Sequence, residues 1–473
     1  MAERMNTIKL NSWRPKTSQE KLAIEIINLF HKAGFRHTYI VGGYVRDLLL
    51  KRPETGAIDI ATIATPQQAI KLLEKQKYNV IPTGLKHGTI TVHHKSDDIE
   101  ITTFRKEGKY GDSRRPDKVV FVSDPAIDAT RRDFTINAFY FDPAKLEIYD
   151  FVDGSIDLKK RRLRFIGSAI KRISEDSLRL MRAARFVTIL GFKLDLEAKK
   201  AIAKNASKIK KVSPERIKQE LDKLFLSKNR SEGIKLLLDL GLLKQILPEV
   251  DRLNKTPQSK NYHSEGNVFV HTLLALSQIE DSAKLSTIYG LLFHDLGKAV
   301  TRRLIQRNGK PHTTFYNHQN KGVEIARGIF KRLRFSNKEA EDIGWLIKNH
   351  HVPYEINKMR KGKQTAWALD PRFGELLKLF LADSQASIPS DSRGRKLAPD
   401  ISSYKYATRL YQKAQSRADF KKPLVTGHDV MKVLHLKPGP DVGKILAKVR
   451  ELQLESKLKN RNEAYRWLRS QRS

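Results

Sequence analysis

No cysteine occurs in the 473 residues. Disulfide frameworks and thiolate metal sites are therefore excluded, and any metal must be held by histidines and carboxylates. Long apolar runs are absent too, and the opening MAERMNTIKLNSWRPK has no signal-peptide core. No internal repeat and no long low-complexity tract is present. Acidic residues are scarce: 52 Asp and Glu stand against 90 Lys and Arg, a net charge of +38. That excess goes beyond what solubility requires and points to a polyanion, nucleic acid ahead of a membrane surface. Together these absences predict a soluble cytoplasmic protein with no membrane partner, and they leave oligomeric state open.

What is present begins with an amphipathic helix from Ser18 to Gly34, its apolar positions Leu22, Ile24, Ile26, Ile27, Leu29 and Phe30 near helical spacing. His37–Val41 then reads as a buried strand. Gly42 and Gly43 follow, where backbone N–H groups can approach an anion because no Cβ intervenes. Arg46, in the helical pattern of Val45–Leu50, adds charge at that point. Ile58–Thr62 is a second strand, with Asp59 facing opposite to Ile58 and Ile60. A carboxylate beside a glycine-bounded anion site suggests metal-assisted phosphoryl or nucleotidyl transfer. On its own, though, the pattern equally describes an ordinary strand–turn–helix with an edge aspartate.

Thr65-Pro66 marks the next helix start. A run of strands follows: Asn79–Ile81, Gly88–Val92, Ile99–Thr103 and Val119–Phe121. Strands interleaved with helices predict an α+β domain with a mixed sheet carrying Asp59 and Glu100. Between Arg105 and Pro116 the chain is basic and glycine-punctuated, a surface loop. Asp128–Ala138 (DATRRDFTINA) pairs arginines with a carboxylate that can orient them. Glu175–Arg182 opens a helix expected to run through Phe186, with Asp176 and Arg179 on one face; an intrahelical ion pair is the plain outcome of that spacing. Beyond it the chain reads as mostly helical.

These segments, in this order, resemble the class II tRNA nucleotidyltransferase and poly(A) polymerase family, most closely its bacterial CCA-adding branch with an HD domain. The resemblance runs from about Thr38 to the C-terminus. It implies that Asp59 and Glu100 are catalytic Mg²⁺ ligands and that Gly42, Gly43, Arg46, Arg132, Asp133, Asn137, Arg182 and Arg216 bind the nucleotide. It further implies that Asp176 and Arg179 serve as a protein template for the incoming base. The chemistry suits that role. Cytosine and adenine both set an exocyclic amine beside an unprotonated ring nitrogen, so a carboxylate can accept while a guanidinium donates. Guanine and uracil present the reverse order. The loop after Arg105 resembles the segment implicated in switching from C to A addition.

One position departs from the family. The Asp-x-Asp pair should be residues 57 and 59, but residue 57 is Ala57. A methyl group cannot ligate Mg²⁺, so weakened metal binding and a much slower transfer are expected unless water or another carboxylate stands in.

A second constellation comprises His271, His294-Asp295 and Asp383. By resemblance these are the divalent-metal set of HD phosphohydrolases, with His318 and His350 able to extend it to a second ion. Satisfied histidines in a structural HD domain are the plainer alternative. The C-terminal region is helical and basic, and resembles the part of the family that grips tRNA by its phosphates. The expected organisation is residues 1–36 as an N-terminal helix, 37–164 as a nucleotidyltransferase head and 165–255 as a helical neck. Residues 256–390 follow as an HD domain and 391–473 as a tRNA-binding tail. The leading expectation is addition of CCA to the tRNA 3′ end from CTP and ATP. A poly(A) polymerase, and a head-inactive tRNA-binding protein with HD phosphohydrolase activity, are the alternatives.

Overall fold

The computed structural model describes residues 5–52, 57–108, 119–259, 262–307 and 309–471. Two compact units are present: Met1–Leu224 with Leu236–Ile246, and Phe225–Lys235 with Leu247–Ser473.

The first unit is built on strands β1 (Asn6–Lys9), β2 (Thr38–Val41), β3 (Asp59–Thr62), β4 (Asn79–Gly84), β5 (Thr89–His94), β6 (Asp97–Thr103), β7 (Arg105–Glu107), β8 (Val119–Phe121), β9 (Phe139–Asp142) and β10 (Glu147–Asp150). Eight of them form one sheet in the order β1-β10-β9-β2-β3-β6-β5-β4. Only β3 and β6 run parallel, so the sheet is mixed, as the sequence predicts. Strand β8 forms at Val119–Phe121, where the sequence predicts a strand. It pairs with β7 alone, in a separate two-stranded ribbon. Val120 and Phe121 are exposed there, so β8 has no apolar face to bury against the main sheet.

Helix Ser18–Lys32 buries Leu22, Ala23, Ile26, Ile27 and Phe30, and packs on β2 and β6. Its N-cap Thr17 forms a capping box with Glu20. Thr65 does the same with Gln68, starting helix Pro66–Lys75 where the Thr-Pro pair predicted a start. On the other face of the sheet Tyr39, Val41, Ala61, Phe104, Tyr140 and Tyr149 form an aromatic-rich core. Register aligns Tyr140, Val41, Asp59 and Glu100 across β9, β2, β3 and β6. Cross-strand partners point to the same face, so the two carboxylates are neighbours.

The expected single helix through Glu175–Phe186 is instead two. Helix Ala169–Glu175 ends, Asp176 is extended (φ −141°, ψ 107°), and helix Arg179–Leu190 begins. The Asp176 carboxylate accepts from Leu178 N at 3.0 Å, a local bond that competes with helix continuation.

In the second unit, helices Val268–Gln278, Leu285–Phe293, His318–Arg332, Asn337–Asn349 and Phe373–Ala386 surround the histidines, and Arg303–Arg307 pairs with Lys310–Thr314 as a hairpin. Helices Gly427–Leu434, Pro440–Leu454 and Arg461–Ser470 close on a separate small core that includes Val430, Val449 and Leu468. No helix among the described residues is long and apolar enough to cross a membrane.

Candidate functional site

The first unit holds a cleft of about 750 Å³ at the end of the sheet where β2 and β3 meet. Gly42 has φ +77°, and a Cβ there would lie 3.4 Å from Asp59 Oδ2 and 3.9 Å from Arg132 Nη1. The positive φ calls for glycine, while a Cβ would make only ordinary contact with the carboxylate. Asp59 and Glu100 line the cleft side by side. Burial, and then the charge of Glu100, push Asp59 up to about 6, against the opposing pull of Arg132. Glu100 is also raised, chiefly by burial, with Arg105 opposing. Two carboxylates that resist joint ionisation form a donor set relieved by a cation, so these residues fit a divalent ion. Ala57 is exposed two residues ahead of Asp59 and offers no oxygen from its side chain.

Facing the carboxylates is a collar of arginines, each held by a buried partner. Asp128 is fully buried and takes Arg131 Nε at 2.7 Å, Arg132 Nη2 at 3.3 Å and the Tyr140 hydroxyl at 2.6 Å. Asp133 accepts from Arg182 Nε at 2.7 Å. Burial alone would raise Asp133, but Arg182 and Arg179 hold it below the usual carboxylate range. Arg46 donates to Asn137 Oδ1 at 2.6 Å. Phe186 lines the cleft, with the guanidinium carbons of Arg185, Arg46 and Arg182 at 4.2, 5.3 and 5.4 Å from its ring centre. Such a set of fixed cations can receive a triphosphate without reorganising.

Asp176 and Arg179 both line the cleft, yet they do not pair with each other. Asp176 is held by Arg216 Nη2 at 2.9 Å. Arg179 Nη1 donates to Glu175 Oε2 at 2.6 Å and to Arg172 O at 2.9 Å. The helix break separates the two side chains and gives each its own anchor. Free acceptor and donor positions remain on both.

Every head residue singled out from the sequence except Arg216 lines this cleft, and Arg216 reaches it through Asp176. Sequence reasoning missed Arg105, Glu107, Arg185, Phe186 and Lys223 as lining residues. Arg185 and Phe186 had a signal, since they follow Arg182 by three and four positions on one helix; Lys223 had none. The expected loop after Arg105 begins as β7, and its residues 109–116 lie outside the described ones.

In the second unit His271, His294 and Asp383 bring ligand atoms within 4.8 Å of one another. His271 Nε2 is 2.8 Å from Asp383 Oδ1, and its Nδ1 is 2.9 Å from Glu265 Oε1. His294 Nε2 lies 3.2 Å from Asp295 Oδ2 and 3.5 Å from Asp383 Oδ1. Burial opposes charge on His294, but Asp295 and Asp383 raise it to about 10, so the two carboxylates favour positive charge at this point. Lys298 Nζ also reaches Asp295 Oδ2, at 2.7 Å. His318, His350 and His351 form an adjoining group, and His351 was not anticipated.

Comparison with known proteins gives a consistent set of likenesses. Residues 38–164 match the Poly A polymerase head domain, and residues 191–253 the family described as the probable RNA and SrmB-binding site of polymerase A. Residues 268–386 match the HD domain, and 400–467 the putative tRNA nucleotidyltransferase domain 2. A CCA-adding enzyme of Lactococcus lactis is 32% identical over 435 residues, covering 90% of this chain and 91% of that protein. One from Lactobacillus delbrueckii is 44% identical over 223 residues, 47% of this chain and 54% of its own. The crystal structure of the Bacillus stearothermophilus CCA-adding enzyme in complex with CTP superposes with a TM-score of 0.72 at 26% identity, over 96% of this chain and 98% of that one. A Thermotoga maritima CCA-adding enzyme complexed with tRNA shares the fold, with a TM-score of 0.59 at 16% identity over 97% and 96% of the two chains.

Proposed function

The chain belongs to the family of CCA-adding tRNA nucleotidyltransferases, and from that premise we propose that it adds C, C and A to tRNA 3′ ends from CTP and ATP without a nucleic-acid template. The observation that carries this reading is a single cleft that gathers the Asp59–Glu100 pair, the arginine collar and the separately anchored Asp176 and Arg179. Asp176 accepts a hydrogen bond from the exocyclic amine of C or A, and Arg179 donates to the neighbouring ring nitrogen. Arg132, Arg182 and Arg46 hold the triphosphate, while Asp128, Asp133 and Asn137 keep their guanidinium groups in place. Asp59 and Glu100 are the ligands for Mg²⁺, an ion suited to oxygen donors. When bound, it neutralises phosphate charge and acidifies the terminal hydroxyl of the tRNA. Ala57 leaves this set one carboxylate short of the family's Asp-x-Asp pair, so transfer is slow relative to that of an Ala57→Asp variant.

The test is incorporation of CTP and ATP into tRNA lacking its terminus, with the chain as it stands and with Ala57→Asp. Faster addition by the substituted protein supports the metal assignment. Equal and rapid addition by both rejects it. Extension of generic RNA by ATP alone assigns poly(A) synthesis instead.

A second reading applies to the second unit, where His294 sits between buried Asp295 and half-buried Asp383. His271, His294, Asp295 and Asp383 hold a divalent ion for phosphoester hydrolysis. Metal-dependent phosphodiesterase activity that survives unchanged in His294→Ala excludes it.

A further inference from the structure

We propose that Thr89 and His87 seat the terminal ribose of the acceptor RNA and read its 2′-hydroxyl, on the side of the cleft away from the arginine collar. This rests on the reading of the cleft as a nucleotidyl-transfer site, and it concerns residues to which that reading gives no role. The sheet sets the order. Arg132 lies over the Tyr140 ring on β9, 5.0 Å from its centre, and Gly42 and Gly43 follow β2. Asp59 and Glu100 come next on β3 and β6, then Thr89 on β5 and Thr83 and Gly84 on β4. Thr83, Gly84, His87 and Thr89 line the same cleft as the collar and the carboxylates. In an in-line displacement the attacking oxygen and the leaving pyrophosphate stand on opposite sides of the α-phosphorus. A triphosphate held by the collar therefore leaves the β5–β4 side for the RNA terminus whose 3′-hydroxyl attacks.

The two sides differ in chemistry as the two ligands do. The collar offers fixed charge for phosphate, whereas the β5–β4 side offers hydroxyls. Register sets Thr91 opposite Glu100 and Thr89 opposite Thr102, so these side chains share one face. Thr89 Oγ1 lies 3.3 Å from Thr102 Oγ1, and Thr83 Oγ1 lies 3.0 Å from Thr91 Oγ1. A hydroxyl carries one donor and two acceptor positions, so half-buried Thr89 keeps capacity for a ligand after pairing with Thr102. A ribose 2′-hydroxyl both donates and accepts, which matches a neutral hydroxyl beside an imidazole. It is also the group that separates RNA from DNA. The turn carrying His87 is fixed before any ligand arrives. Gly88, which closes it, has φ +80°, and a Cβ there would fall 2.8 Å from Phe121 Cε1. Thr103 N donates to Gly88 O at 2.8 Å, and Arg105 Nη1 donates to His87 O. Arg105 gives its Nε and Nη2 to Glu107 Oε1, at 3.1 and 3.0 Å, so its charge is engaged within the protein. A turn held in this way presents its side chain with little reorganisation on binding.

The experiment uses the full chain with Mg²⁺ and a CTP analogue bridged by a methylene between its α- and β-phosphorus, which cannot transfer. Binding is measured for tRNA ending in a single C, made with a 2′-hydroxyl or a 2′-deoxy terminal nucleotide. In the starting protein the dissociation constant is expected to be about 10-fold higher for the 2′-deoxy tRNA, the loss of one hydrogen bond. Thr89→Val keeps the shape and strand preference of the side chain but removes its hydroxyl. It should weaken binding of the 2′-hydroxyl tRNA by a similar factor and leave the 2′-deoxy tRNA unchanged. His87→Ala is expected to reduce the same difference, and Thr89→Ser to retain it. A merely structural role would weaken both RNAs alike. If the starting protein binds the two tRNAs equally, or if Thr89→Val and His87→Ala both keep the full difference, the seat is rejected. Incorporation of CTP into the unmodified tRNA is followed in parallel. Its absence, with the binding difference intact, rejects the transfer reading and keeps the seat.

Discussion

Asp59, the proposed metal ligand, also carries a cost. Its carboxyl is raised from 3.8 to about 6 by burial and by Glu100. A folded-state value above the unfolded one means that the folded protein binds the proton more tightly, so this group's stabilisation is complete below about pH 4. It is lost as pH rises through 6. In chelator at pH 7.5, Asp59→Asn should therefore stabilise the protein by on the order of 2 kcal/mol, with the gain shrinking toward pH 4; thermal melts at both pH values check this. Nucleotide addition should fall as pH drops through about 6, where Asp59 takes up the proton that competes with metal. Asp176→Asn is expected to act on choice more than on rate. It replaces an acceptor by a group that also donates, so misincorporation of UTP relative to CTP should rise about 10- to 100-fold in kcat/KM, the equivalent of one lost discriminating hydrogen bond. Most of these residues were legible in the sequence because each sits inside a contiguous motif. Glu175, Arg216 and Asp128 were quoted there too, but their work as anchors for Arg179, Asp176 and Arg132 depends on side-chain reach.

At the scale of elements, the break at Asp176–Leu178 was illegible, since residues 175–186 fit a helical pattern throughout and only the carboxylate bond to Leu178 N ends the first helix. Strand β8 lies where it was expected, but its partner was not legible, because three apolar residues reveal a strand and not what it pairs with. Caps fared better: Thr65 and its capping box act within four residues, where local chemistry decides. The contact of Gly297 with the helix that starts at His318 is an element-level constraint. Gly297→Ala should separate the two segments, lowering stability by about 2–4 kcal/mol and releasing bound metal; chemical denaturation and metal analysis of the same preparation test both.

For the whole molecule, the net charge of +38 makes RNA binding strongly electrostatic. Affinity for tRNA should fall about 100-fold or more between 50 and 200 mM salt, with a linear log–log slope; filter binding over that range measures it, and a flat profile would show that phosphate contacts are few. Charge, the absence of cysteine, the strand and helix periodicities and the motif order were all settled by the linear chain, because composition and short-range spacing are local properties. Tertiary structure alone decided that Glu100 stands beside Asp59 across a parallel strand pair, that Asp176 and Arg179 hang from different partners, and that His318, at the start of one helix, meets His350 and His351 in the turn after another. Each of these depends on strand register or on helix packing, and neither is encoded in the spacing of residues along one segment.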